Sequence, residues 1–350
     1  MNPEDLLLRA STPADLDALE RMAAASAIGI TTLPANRALL ADRLARSAQA
    51  FSSADDASGE EIYLFVLEDT RSGQVVGTSG IAASAGFADR FYSYRNEMVV
   101  HASAALGASN RIHTLHLCHD LTGHTLLTSF YIDPAYEQSL APQLLSRGRL
   151  LFIAEFAERF SDRIAAESPG LADETGRCPF WDAVGRRFFG MDYPSAETLT
   201  GGRNKAYIAE LMPQSPIYVP LLPDEAQWAI GQLHPVAELP FSILLDEGFD
   251  AETYVDIFDG GPTVDARVAL LRTVAGSRRW SRAGAAPAVH DSPWQLVANT
   301  RRGEFRVVLS RASLDRAALA LDERSSHQLH SAPGEPLRAA PLQADTGSRA

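Results

Sequence analysis

His234 stands in the run Ile230-Gly231-Gln232-Leu233-His234-Pro235. Imidazole changes charge near neutral pH, which makes it the side chain best suited to passing protons in water. The proline that follows restricts the backbone carrying it, so the site is a pre-organised perch for acid–base chemistry. A lone histidine in such a place also commonly caps a turn or faces solvent. A second group, His113, His116, His119 and His124, brings metal ligation to mind. Residues 114–118 alternate like a strand, however, which sends His113 and His116 to opposite faces, whereas metal ligands must converge. The spacing therefore argues against a metal, and contact between one of these rings and a substrate is the better expectation.

Other chemistries lack their signatures. No Gly-x-Gly-x-x-Gly opens a helix after a strand, and no Gly-x-x-x-x-Gly-Lys precedes Ser or Thr, which sets aside dinucleotide and nucleotide-phosphate cradles. Gly-x-Ser-x-Gly is missing as well, so the commonest hydrolase elbow is absent. Asp259-Gly260-Gly261-Pro262 reads as a tight bend.

The elements that must carry these residues follow from periodicity. Ser11-Thr12-Pro13-Ala14-Asp15 caps a first helix bearing Leu16, Leu19 and Met22, and 36–50 repeats the pattern. Residues 62–84 read as a hairpin turned at Thr70-Arg71-Ser72-Gly73, and 126–132 as a strand stopped by Asp133-Pro134. A helix over 143–160 has Leu144, Leu145, Leu151 and Phe152 for its core, with Arg147, Arg149, Glu158 and Arg159 available for a wet face. A strand at 164–166, a helix at 179–189 and a strand at 206–211 complete an α+β domain over 1–240. The closely spaced Pro213, Pro216, Pro220 and Pro223 exclude continuous helix. Helices at 224–231 and 241–247 and strands at 254–258, 295–299 and 305–309 predict a smaller β-containing domain over 241–321. From 322 to 350 no apolar period survives, and the expectation is a disordered tail.

Composition bounds the setting. The 350 residues are 46% hydrophobic and 21% charged, enough for a large core, and the formal net charge of −13 repels phosphate backbones, which disfavours nucleic acid. Two cysteines make no disulfide framework, and the acidic opening and lack of a long apolar span predict a cytoplasmic protein with no membrane segment.

Longer blocks carry a resemblance. Phe65-Val66-Leu67-Glu68-Asp69, His119-Asp120-Leu121-Thr122-Gly123, Ser146-Arg147-Gly148-Arg149, Ala209-Glu210-Leu211-Met212-Pro213, the Pro216 to Pro223 run, His234-Pro235 and the block from Tyr254 to Thr263 occur in order. Over about residues 6 to 310 the chain resembles the arginine N-succinyltransferase family, most of all the alpha subunit of arginine/ornithine succinyltransferase. The resemblance implies a GNAT-like acyl-CoA N-acyltransferase fold and no tightly bound cofactor. The co-substrate would be succinyl-CoA, with the α-amine of L-arginine as acceptor and ornithine as a second substrate. The products would be N2-succinylarginine and CoA, the opening step of succinyl-dependent arginine breakdown.

The family's proton donor falls on His234, and its succinyl-CoA contact, three residues before Asp-Pro, on Phe130. Asp120 and Arg95 are candidates, chosen by charge, for gripping the guanidinium and the succinyl carboxylate; a turn carboxylate and a surface arginine are their plainer roles. One stretch departs from the pattern. GNAT-type catalytic chains hold the CoA pyrophosphate on a glycine-rich loop and helix N-terminus, and Glu137-Gln138-Ser139-Leu140-Ala141-Pro142 has no glycine. That predicts dependence on a beta subunit with the intact loop, or a weakened or relocated CoA site. Assembly with a beta subunit or as a homo-oligomer is expected, and a non-catalytic alpha subunit is the competing reading.

Overall fold

The structure, a computed structural model, describes residues 2–26, 33–53, 57–87, 90–200, 210–284, 292–311, 313–315 and 318–343. The strands are β1 (Leu6–Ala10), β2 (Ile62–Asp69), β3 (Gln74–Ala82), β4 (Ser93–Ser103), β5 (Ala108–Cys118), β6 (Thr125–Ile132), β7 (Arg163–Glu167), β8 (Ile217–Tyr218), β9 (Asp250–Val255), β10 (Pro262–Arg267), β11 (Arg278–Arg282), β12 (Gln295–Asn299), β13 (Arg306–Ser310), β14 (Ser313–Asp315), β15 (Ala318–Ala320) and β16 (Pro336–Pro341). They form one sheet in the order β14-β15-β11-β16-β12-β13-β1-β2-β3-β6-β7-β10-β9-β4-β5-β8. Among the described strands the parallel pairs are β6 with β7 and β11 with β15. The helices are α1 (Leu16–Ala25), α2 (Arg37–Ser52), α3 (Ala141–Glu155), α4 (Pro179–Ala183), α5 (Gly185–Phe189), α6 (Tyr193–Thr200), α7 (Asp224–Ala229), α8 (Glu238–Glu247), α9 (Arg272–Gly276) and α10 (Glu323–Gln328). No described helix is long and apolar enough to cross a membrane.

The apolar run of β2 shows how the layers form. Successive side chains of a strand point to opposite faces. Tyr63, Phe65 and Leu67 therefore join the core built on α3, while Leu64 and Val66 pack with Leu19, Met22, Leu40 and Leu44 of α1 and α2. A strand covered on both faces needs no polar alternation, which is why it reads as continuous hydrophobicity. A further core joins Tyr94, Leu115 and Val255 of the sheet to Phe180 and Trp181 of α4. This mixed sheet, with helices on both faces, bears out the α+β class expected from the sequence.

Helix α3 differs from the expected amphipathic helix. It ends at Glu155, short of 160, and it has no wet face: Arg147 and Arg149 are 1% and 3% exposed and Arg159, just beyond it, is 6%. The cause is enclosure by the sheet, whose strands from β6 to β16 share a core with α3, together with α8. Arg147 pairs with Asp246 and Glu247 at the end of α8. Glu155 takes Arg279 of β11 at 2.7 Å and Arg338 of β16 at 2.7 Å. Gly148 lies directly on β1, where an added Cβ would come within 2.1 Å of a Leu8 methyl.

Three expectations are corrected. The division at residue 240 does not separate the strands: β10 and β9 lie between β7 and β4, and β13 pairs with β1, so strands from both proposed domains alternate in one sheet. The proposed 322–350 tail is ordered through residue 343. There Asp322 caps α10 by accepting from the Ser325 N–H, and β16 pairs with both β11 and β12. Its apolar set, Leu337, Ala339 and Ala340, is too short to register as a period, but pairing on both edges supplies what burial alone would not. The helix at 179–189 is two short helices meeting at Val184. The strand read at 206–211 lies outside the described residues except for Glu210 and Leu211, which are helical.

Deleting residues 322–350 removes β16 and opens both neighbouring strand edges. The shortened chain is expected to aggregate or to melt well below the full chain; an unchanged melting temperature would contradict the placement of β16.

Candidate active site

The parallel pair β6 and β7 stays together for a short distance: Thr125 faces Ile164, Leu126 faces Ala165 and Leu127 faces Ala166, and there the pairing ends although β6 runs on to Ile132. On its other edge β6 is bulged. Thr78 faces Tyr131 and Gly80 faces Thr128, so Ser129 and Phe130 together oppose Ser79. A bulge bends and twists its strand, which turns this end of β6 away from β7. Ser129 carries a φ of 55°, a left-handed conformation costing a non-glycine residue about 1–2 kcal/mol. Gly80 allows the close approach; a Cβ there would stand 2.6 Å from Thr128 Oγ1. Phe130, half-buried, sits at the open end of β6 with its ring over the Arg149 guanidinium.

The opposite lip is built by the chain leaving β7. Ser168 N–H donates to Pro262 O at 3.1 Å, and Gly170 N–H to the Asp259 carboxylate at 2.8 Å. The other Asp259 oxygen accepts from Gly261 N–H at 2.8 Å, so both oxygens of this buried carboxylate take a backbone donor, and the Tyr193 hydroxyl adds a third at 3.3 Å. The bend expected at Asp259-Gly260-Gly261-Pro262 is present, and it does more than reverse the chain. Gly260 O accepts from Gly231 N–H at 2.8 Å, and Pro169 O accepts from His234 N–H at 2.9 Å. A Cβ on Gly170 would meet Asp259 O at 2.7 Å, so the segments touch backbone to backbone. Thus the His234 perch hangs from the segment just past β7. Continuing the Leu127–Ala166 register would set Pro169 level with Phe130, which puts both residues at the same end of the notch, the carboxyl end of two parallel strands, where α/β sheets commonly bind ligands.

His234 fulfils its capping role as well. Its Nδ1 accepts the Val236 N–H at 3.3 Å across the turn opened by Pro235. That bond fixes the neutral tautomer with the proton on Nε2. Burial holds the ring below its ordinary pKa, so it is uncharged at neutral pH.

Arg95 and Asp120 are brought together, Arg95 Nη1 lying 2.8 Å from Asp120 Oδ2, and Arg95 also pairs with Glu97. Tyr254 OH donates to the same Asp120 oxygen at 3.3 Å, and burial together with that carboxylate pushes the phenol up to about 12. A row of directly opposed residues, Arg95–Tyr254–Thr263–Glu167, runs across β4, β9, β10 and β7 to the mouth of the notch. At roughly 4.8 Å per strand, Arg95 stands about 14 Å from Glu167. Arg95 and Asp120 therefore flank the approach to the notch rather than line it, each already neutralising the other. Three of the four clustered histidines have separate partners or neighbours: His113 meets Asn96 at 3.1 Å, His116 meets Thr114 at 3.0 Å, and His119 lies edge-on to Tyr92, while His124 Nδ1 is buried with no hydrogen-bond partner among the described residues. Sequence reasoning missed Asp259 and Gly170 as scaffold and Glu167 as the end of the row; the Gly260-Gly261 pair was the visible trace of the first two.

The α3 N-terminus is poor in donors. Ala141 N–H is taken by Ser139 Oγ at 3.1 Å, and Pro142 has no N–H. A phosphate cradle of the glycine-loop kind is not built there.

Comparison with known proteins agrees with this architecture. The family model described as arginine N-succinyltransferase beta subunit matches residues 6–273. The alpha subunit of arginine N-succinyltransferase from Pseudomonas aeruginosa is 50% identical over 305 residues, covering 87% of this chain and 90% of that one. The beta subunit from the same organism is 40% identical over 339 residues, covering 97% and 99%. The solved structure of arginine/ornithine succinyltransferase subunit AI from Pseudomonas aeruginosa superposes with a TM-score of 0.87 at 43% identity, covering 97% of this chain and 99% of that one. The chain belongs to the arginine N-succinyltransferase family.

Proposed function

We propose that this chain transfers the succinyl group of succinyl-CoA to the α-amine of L-arginine, releasing N2-succinylarginine and CoA, with ornithine as a second acceptor. The supporting observation is the notch where β6 and β7 part, with Phe130 on one lip and His234 hung from the other through Pro169. An extended pantetheine arm can pair along the edge of β6 that β7 gives up, in the manner of an added strand. Phe130 then contributes chiefly through its backbone.

The neutral amine attacks the thioester carbon; the new C–N bond forms as the C–S bond breaks. Nitrogen loses one proton and sulfur gains one, so the exchange balances. With Nδ1 engaged by Val236, the Nε2–H of His234 is the group left to hydrogen-bond the departing sulfur and stabilise its developing negative charge, while the proton that nitrogen loses reaches the thiolate through solvent. The acidic surface and the free thiols Cys118 and Cys178 support a cytoplasmic setting.

One observation favours a second reading, a subunit that depends on a partner for CoA binding: the donor-poor start of α3. It supports assembly with a beta-type subunit supplying an intact phosphate loop, as the alpha and beta names of the relatives suggest.

Three outcomes follow. Thiol release from succinyl-CoA plus arginine is expected to fall about 10²- to 10⁴-fold on His234→Ala, assayed in whichever preparation is active, alone or mixed with a beta-type partner; an unchanged rate would remove His234 from the reaction. The log of kcat/KM against pH should fall with unit slope as the substrate amine protonates and steepen to two below the ordinary histidine value of 6.5, where a proton on Nδ1 breaks the Val236 bond that orients the ring; His234→Gln should abolish only the second proton. Calorimetry should find succinyl-CoA bound more weakly by the purified chain than by the mixed assembly, and equal affinities would discard the partner-dependent reading.

A further inference from the structure

The fold buries three arginines that the sequence pattern set on a wet face, and it treats them differently. Arg147 meets two carboxylates, and Arg159 meets Glu61 at 3.5 Å and the Tyr63 hydroxyl at 2.6 Å. No carboxylate among the described residues pairs with Arg149, although it is 3% exposed. Its donors reach neutral acceptors over long distances: Nε to Ser146 O at 3.3 Å, Nη2 to Ser146 Oγ at 3.2 Å, and Nη1 to Gly80 O at 3.4 Å and Thr128 O at 3.5 Å. The Phe130 ring covers the guanidinium from 5.7 Å. Burial alone pulls the group down to about 9, which still leaves it charged at neutral pH. A buried cation without a counter-charge is among the costliest arrangements a protein can keep.

Its place gives that cost a purpose. Gly80 and Thr128 oppose each other one step before the Ser129–Phe130 bulge, so the charge lies beneath the lip of the notch and behind the residue proposed to meet the acyl donor. We infer that Arg149 receives the free carboxylate of the donor's acyl group, making it the residue that selects a dicarboxylic acyl thioester over a neutral one. The inference rests on the reading that the donor lies along β6 beside Phe130. In the complex the partly exposed Phe130 ring turns aside and the carboxylate replaces the cation–π contact with charge-assisted hydrogen bonds. A neutral acyl chain of equal length leaves the guanidinium unpaired, and sites built around a buried polar partner reject ligands that lack it far more strongly than apolar pockets reject a methylene.

The test compares succinyl-CoA with butyryl-CoA, which has the same four-carbon chain without the terminal carboxylate, using arginine as acceptor and the assembly that is active. The unmodified protein is expected to prefer succinyl-CoA strongly. Arg149→Met should lower kcat/KM for succinyl-CoA by roughly 10- to 100-fold, the range of a lost charge-assisted bond, and change butyryl-CoA by less than about threefold. Arg149→Lys should fall between the two. An equal loss for both donors would make Arg149 a support for the bulge and overturn the inference. Should the methionine variant fail to fold, a crystal structure of the unmodified assembly with succinyl-CoA decides the matter: a carboxylate oxygen about 2.7–2.9 Å from the guanidinium is expected, and a carboxylate held elsewhere refutes it. Unmodified protein that moves no succinyl group to arginine takes down the proposed function and this inference together. Active protein whose Arg149 variants keep the donor preference takes down this inference alone.

Discussion

Two parallel strands that begin paired and then separate impose the constraint on which the rest of this molecule depends. Strand edges carry unsatisfied N–H and C=O groups, and a sheet interior does not leave them open without cause. Here the opening is held from both sides. On β6 the Ser129–Phe130 bulge, with its left-handed serine and the glycine opposite, bends the strand away. On β7 the chain is captured immediately after Glu167 by the Asp259 turn, through contacts so close that Gly170 and Gly261 are required by space alone. The same capture fixes His234, so the histidine's position and the width of the notch are set by one cluster of backbone hydrogen bonds.

Behind the notch, α3 acts as the strut. Its Gly148 seats it on β1, Arg147 joins it to α8, and Glu155 joins it to β11 and β16. Breaking a buried pair of this kind by removing one partner costs about 3–5 kcal/mol, because a lone charge stays behind. Those ties explain why the C-terminal strands belong to the same sheet as the notch, not to a separate unit. They also isolate Arg149, the cation in the helix that the framework leaves without an acid.

Much of the framework was legible in the sequence because it rests on periodicity. The hairpin of β2 and β3, helix α2 and strand β12 fall where alternation and helical spacing set them, β12 at Gln295–Asn299 as read. Legibility failed where another interaction replaced burial. β4 and β5 form a ribbon that is exposed for much of its length, so most of it carries no apolar alternation. β16 is short and flanked by prolines, and its stability comes from pairing on two edges. In α3 the arginines read as solvent-facing because sequence shows charge but not the carboxylates and carbonyls that meet it 100 residues away. At the site, His234 was conspicuous as an imidazole beside a proline, and Phe130 could be reached only through likeness to a family. Arg95 and Asp120 show the limit of choosing residues by charge: the fold spends them on each other.

Amide hydrogen exchange along β6, followed with and without succinyl-CoA, tests the central claim most directly. If the thioester's arm lies on the strand edge that β7 abandons, amides between Thr128 and Ile132 should slow markedly when the donor binds, while those of Thr125 to Leu127, already paired, should hardly change. Saturating binding that leaves the 128–132 segment exchanging as before would mean that the donor sits elsewhere and that the parted strands are not the acyl-transfer site.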